Sequence, residues 1–179
     1  MMTNIERWLS LHGINNYSIS QTDRVVDVSG SVRLARIDTG LAPVQFGHVT
    51  GTFDCSYSGI TSLHGSPRSV GGDFVCHSTK ITSLEGAPQF IGCSFSCGDS
   101  NITSFHDVHK QIKHIGGSFY CSHDVTHLLG LLLIDGITGF HIDRDGPIDD
   151  IFNKYIGTGD ILSAQDELID AGFIEQARL

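Results

Sequence analysis

Five cysteines and ten histidines are the residues of this chain with ligand or nucleophile chemistry, and most of them recur with a pattern. Cys55, Cys76, Cys97 and Cys121 each lie two residues after a phenylalanine, in "FDC", "FVC", "FSC" and "FYC", at intervals of 21, 21 and 24 residues. Thiols in a row suggest zinc or disulfides. Zinc needs four ligands converging on one centre, usually from C-x-x-C pairs. A disulfide needs Cβ atoms about 3.8 Å apart with converging vectors, whereas residues stacked from rung to rung lie about 4.8 Å apart and point in parallel. These thiols therefore suit packing better, since free cysteine is a small and often buried hydrophobe. Cys93 replaces a glycine of the other units and is the thiol of the five most open to reaction.

The histidines gather in "HDVHKQIKH", where three inserted residues bring His106, Asp107, His109 and His114 close in sequence, with His123 and His127 following. A helix would place His106 and His109 on one face, and neutral imidazoles suit zinc or nickel. No cysteine or glutamate spacing completes a ligand set, so the segment reads as a solvated loop, with His106, His109 and His123 as its metal candidates. No cofactor is expected. The sequence holds no G-x-x-x-x-G-K, H-E-x-x-H or G-x-S-x-G, and its "GG" pairs recur with the repeat as turn devices. The expectation is a protein that is not an enzyme.

A repeating frame must position these side chains. The blocks "VSGSVRL", "VTGTFDC", "VGGDFVC", "IGCSFSC" and "IGGSFYC" align, led by Val28, Val49, Val70, Ile91 and Ile115. A fixed period in this range signals a solenoid. Phe74 and Cys76, two apart, share one side of a strand, and Ile81 and Leu84 of "ITSL" return to the interior as the chain turns. One unit cannot bury that face, but stacked units bury it continuously.

The intervening residues are then expected outside: Thr52, Asp54 and Ser56; Asp73, Val75 and His77; Ser94, Ser96 and Gly98; Ser118, Tyr120 and Ser122. Arg33, Asp54, Asp73, Val75, His77, Ser96 and Tyr120 make the candidate binding face, with Arg33 and Tyr120 as its anchors.

Caps are expected at both ends. Thr3 and Glu6 form a capping box, Ile5, Trp8 and Leu9 share a helical face, and Gly13 suits the exit. Pro147 opens a helix with Ile148, Ile151, Phe152, Tyr155 and Ile156 on one side, and a second runs from about Asp160 to Ala171, ending at Gly172. The expected organisation is one domain over 1–179, with an N-terminal cap at 1–27, repeats at 28–142 and a helical cap at 143–179.

Eleven basic residues against 20 acidic ones give a formal net charge of −9, which disfavours direct binding to nucleic acid. Residues 135–179 carry 10 of the acids and 3 of the bases. Asp149, Asp150, Asp166, Glu167 and Asp170 form an alternative acidic face whose carboxylates could imitate phosphates. No apolar run approaches the roughly 20 residues of a membrane span. The N-terminus lacks the features of a signal peptide, and an odd cysteine count suits reduced thiols, so a cytoplasmic location is expected.

The unit resembles the leucine-rich-repeat pattern L-x-L-x-x-N-x-L-x-x-L, with Phe and Cys at the strand leucines. It departs at the asparagine position, which holds Ser58, Thr79, Ser100 and Asp124. The resemblance implies an α/β solenoid, a leucine-rich-repeat-like parallel β-coil of about five or six units with helical caps. The unit "GxFxCxxxxITSLxGxP", the opening "IERWLSLHGINNYSI" and the ending "IFNKYIGTGDILSAQDELIDAGF" also resemble a family of short leucine-rich-repeat proteins encoded mainly by tailed bacteriophages. That likeness implies phage origin and a host-cell cytoplasm, and carries no established activity. The functional expectation is a non-catalytic binding module engaging a host protein through the repeat sheet face, in host takeover or anti-defence. An acidic nucleic-acid mimic built on the C-terminal helices and a minor structural component of the virion are the alternatives. The partner and the oligomeric state stay open.

Overall fold

Every repeat unit folds into one turn of a solenoid carrying two short strands. A computed structural model describes residues 2–34, 36–37, 40–41, 43–143 and 146–179. The block led by Val or Ile supplies a first sheet: β1 (Tyr17–Ile19), β2 (Val26–Val28), β4 (Phe46–Val49), β6 (Ser69–Val70), β8 (Phe90–Ile91) and β10 (His114–Ile115). The Phe-x-Cys block supplies a second: β3 (Val32–Arg33), β5 (Phe53–Asp54), β7 (Phe74–Val75), β9 (Phe95–Ser96), β11 (Ser118–Cys121) and β12 (Gly139–Ile142). All pairings are parallel except β1 with β2. The result is the expected capped solenoid of about five turns, with one sheet more than the strand of the unit pattern announced.

Glycine packs the corner between the two sheets in the later turns. A Cβ built on Gly92 would come closer than 3.0 Å to the carbonyl oxygen of Gly71, and one on Gly116 would meet that of Gly92 in the same way. At these turns the chain bends from one sheet to the other with backbone packed on backbone, whereas Ser29 and Thr50 hold the same position in the first two units.

Between the sheets runs a column of rings. Phe53, Phe74, Phe95 and Phe119 stack with centroids 5.6, 5.5 and 5.1 Å apart, all fully buried. Such pairs are worth about 0.5–1.5 kcal/mol each beyond their burial. The four repeat cysteines form a second buried column beside them, and Ile60, Leu63, Ile81 and Leu84 close the interior.

After Cys55, Cys76 and Cys97 the chain turns through a left-handed residue, Tyr57, Ser78 and Asp99 with φ of 50, 53 and 51°. The residue that follows explains the missing asparagine. Ser58 Oγ donates to the Cys55 carbonyl at 2.6 Å and Thr79 Oγ1 to that of Cys76 at 2.8 Å, both from buried positions. In these two turns a hydroxyl thus satisfies the turn backbone in place of an amide ladder.

Two positions expected outside are buried. Ser56 turns in, because its N–H and its hydroxyl both bond Asp54 Oδ1, at 3.0 and 2.6 Å. Gly98 is covered by Asp143, whose Oδ1 lies 3.1 Å from where a Cβ would stand.

The ends are closed. In α1 (Asn4–Leu11) the Thr3–Glu6 capping box is formed, Ile5 and Leu9 are buried, and Trp8 meets Phe46 edge-on at 6.3 Å. At the other end lie the short α2 (Val108–Gln111), a 3-10 helix at Leu129–Leu133, α3 (Pro147–Tyr155) and α4 (Ile161–Asp170). Phe152 of α3 packs on Phe140 of β12 with centroids 4.6 Å apart. The first strand of the second sheet, β3, is kept short and carries the exposed Arg33, two features that blunt an edge against pairing. Among the described residues no helix is long and apolar enough to cross a membrane.

Candidate functional site

The strand register sets Arg33, Asp54, Val75, Ser96, Tyr120 and His141 side by side along the outer face of the second sheet. Each unit also presents the residue before its phenylalanine, giving Thr52, Asp73, Ser94 and Ser118 a parallel column. Tyr120, 41% exposed, stacks on His141 with ring centroids 4.8 Å apart and planes 18° from parallel. Its other neighbour along the column is the small Ser96. Val75 is the next wall.

Two strand steps of about 4.8 Å separate Val75 from Tyr120, and after side-chain thickness this leaves a slot about one ring wide. The concavity there measures about 360 Å³ and is lined by Asp73, Val75, Ser94, Ser96 and Tyr120. Its polar groups hold one another in place across strands. Thr52 Oγ1 accepts the Asp73 N–H at 3.3 Å, Asp73 Oδ1 accepts the Ser94 N–H at 2.9 Å, and Ser94 Oγ accepts the Ser118 N–H at 3.1 Å. Among the described residues, Asp73 Oδ2 and the Ser96 hydroxyl make no hydrogen bond, so both remain for a ligand.

Four of the seven expected face residues therefore meet in the slot: Asp73, Val75, Ser96 and Tyr120. The other three do not line it. Arg33 pairs with Asp54 at 3.4 Å while its side chain stays 82% exposed, a surface pair of little energetic weight. His77 meets the Tyr57 ring edge-on at 4.8 Å and approaches Ser78 Oγ at 3.3 Å, at the corner of the turn. His141 is the residue that sequence reasoning missed. Its strand has Phe140 and Ile142 in place of Phe and Cys, yet Phe140 falls 21 residues after Phe119, the period of the earlier units.

The acidic face is only partly there. Asp149 is buried, and its Oδ1 accepts the Ile142 N–H at 2.8 Å, so this carboxylate completes a strand edge instead of facing solvent. Glu167 accepts from Lys154 Nζ at 2.5 Å and from Tyr155 Oη at 2.8 Å, tying α4 to α3. The bond from Lys154 first, then that from Tyr155, lowers the pKa of Glu167. Asp150, Asp166 and Asp170 stay exposed, and α4 also shows Leu162 and Ile169 to solvent.

The histidines go to separate tasks. α2 begins at Val108, so His106 is not on it; His106 Nδ1 lies 3.0 Å from the Leu179 main-chain oxygen. His109 packs against Gly130, and His123 Nε2 lies 3.0 Å from Asp124 Oδ1. Among the described residues no three His, Cys, Asp or Glu side chains converge to hold a metal ion. The repeat thiols are held protonated: burial, and then the charge of Asp54, push Cys55 up to about 12, and burial raises Cys76, Cys97 and Cys121 well above the usual thiol range. Cys93 is exposed.

The outer face of the first sheet carries His48, Ser69, Phe90 and His114 in one column, with Phe90 52% exposed. No protein-family model, curated protein or solved structure matches this chain.

Proposed function

We propose that this chain is a non-catalytic binding module whose recognition surface is the outer face of the second sheet. The slot between Val75 and Tyr120 carries that reading. It is a concavity on a rigid, continuously stacked frame, with an exposed ring on one side and a carboxylate and hydroxyls on the other. Its lining offers no paired base and nucleophile, so its chemistry is that of holding. Exposed tyrosine in a preformed recess is a common anchor of recognition surfaces.

The likeness to phage-encoded repeat proteins makes a component of the host cytoplasm the expected partner, a host protein in the first instance. The acidic-mimic reading is weaker, since Asp149 is committed to the strand edge and Glu167 to Lys154 and Tyr155.

The test is retention of bacterial lysate components on the immobilised chain, compared between wild type, the pair Asp73→Ala with Tyr120→Ala, and the pair Asp166→Lys with Glu167→Lys. A component retained by wild type and by the helix variant but lost from the sheet variant is the expected result. Identical retention by all three overturns the assignment to this face.

A further inference from the structure

We propose that the slot beside Tyr120 receives a single ring of a neutral saccharide. The proposal rests on the reading of the second sheet as the binding face and goes beyond it, placing a sugar in the slot where that reading expected a host protein in the first instance.

Width comes first. Ser96 stands between Val75 and Tyr120 in the column, so one ring fits between the two walls. Tyr120 is braced from behind by His141, which leaves the opposite face of its ring turned towards the recess. An aromatic face of this kind packs well against the C–H groups of a pyranose, burying apolar surface without losing any polar partner. Val75 supplies a second apolar wall.

Polarity decides between a sugar and a plain aromatic ligand. Asp73 Oδ2 and the Ser96 hydroxyl are uncommitted, and Ser94 Oγ, which accepts from Ser118 N–H, still has its proton to donate. A flat hydrocarbon ring would leave these groups desolvated without partners, whereas the vicinal hydroxyls of a hexose satisfy a carboxylate and two hydroxyls together. Charge decides the class of sugar. The lining contains a carboxylate and no cation, and the one arginine of the face, Arg33, is engaged with Asp54 two strands from Ser96. Uronic and sialic acids are therefore disfavoured against neutral hexoses.

The experiment titrates the full chain with glucose, galactose, mannose, glucuronate and phenol, following amide shifts by NMR. At least one neutral hexose is expected to bind in the millimolar range, with shifts centred on residues 94–96 and 120, while glucuronate and phenol bind more weakly. Tyr120→Ala weakens that hexose about tenfold, and Tyr120→Phe, which keeps the platform, leaves it unchanged. Ser96→Leu fills the slot from the solvent side and abolishes binding in a chain whose interior is untouched.

No hexose binding, binding that Ser96→Leu leaves intact, or phenol binding better than any hexose overturns the proposal. A lysate component lost on Tyr120→Ala but not displaced by any hexose, and still retained after periodate cleavage of vicinal diols, keeps the binding face and removes the sugar.

Discussion

Asn153 of α3 closes the edge of β12 by bonding both main-chain polar groups of Phe140. Its Oδ1 accepts the N–H at 2.8 Å and its Nδ2 donates to the carbonyl at 2.9 Å. Four residues earlier on the same helix face, Asp149 Oδ1 accepts the N–H of Ile142, so two side chains stand where a seventh strand would be. The edge is satisfied without offering a template to another chain. Replacing Asn153 by Ala is expected to cost about 1–3 kcal/mol through the exposed strand groups, read as a lower urea midpoint. A concentration-dependent shift towards larger species on gel filtration should accompany it.

At the glycine corner adjacent turns touch through backbone. Gly92→Ala drives a methyl group into the Gly71 carbonyl, and both partners are backbone that cannot rotate away. We expect a loss of about 3 kcal/mol or more. Retention of the wild-type melting temperature would show that adjacent turns can slide apart at no cost.

Left-handed corners store strain that can be relieved selectively. Ser78→Gly should gain about 0.5 kcal/mol, the release of the Cβ clash outweighing both the added chain entropy and the loss of the long 3.3 Å contact with His77 Nδ1. Tyr57→Gly at the equivalent corner should gain nothing, because it also removes the edge-on contact with His77. Chemical denaturation of the two variants side by side checks both halves.

The buried thiols make the fold sensitive to alkali. Cys55 is raised from 9.0 to about 12 by burial and the Asp54 charge, and the other three repeat thiols shift the same way. Above about pH 9 the unfolded chain loses thiol protons that the folded chain keeps. Stability is thus full below that pH and falls as pH rises, by about 1.4 kcal/mol per pH unit for each thiol. Replacing Cys55 and Cys76 by Val should flatten the slope between pH 9 and 11 in unfolding titrations. In the native protein a thiol reagent should label Cys93 quickly and the other four only on unfolding.

The interior was legible because it repeats. Phe74, Cys76, Ile81 and Leu84 recur at positions whose inward direction follows from strand geometry, and the structure buries all four. The Thr3–Glu6 box and the Pro147 helix were equally readable, since capping is local chemistry. The outer face of the second sheet was half legible. Asp73, Val75, Ser96 and Tyr120 followed from alternation, but His141 lay in a strand whose Phe-x-Ile differs from the pattern of its neighbours.

By itself the sequence determined the period, and with it a stacked coil of about five turns with its ring and thiol columns, because side chains spaced by one turn must bury one another. Tertiary structure alone decided the rest. It split each unit into two strands, since only contact between neighbouring backbones shows why Gly92 and Gly116 stand at their corners. It moved Asp149 from the acidic surface to the strand edge, since a carboxylate's role depends on which N–H lies opposite it. It also made a slot out of Tyr120 and Ser96, because a recess is a relation between residues on adjacent turns.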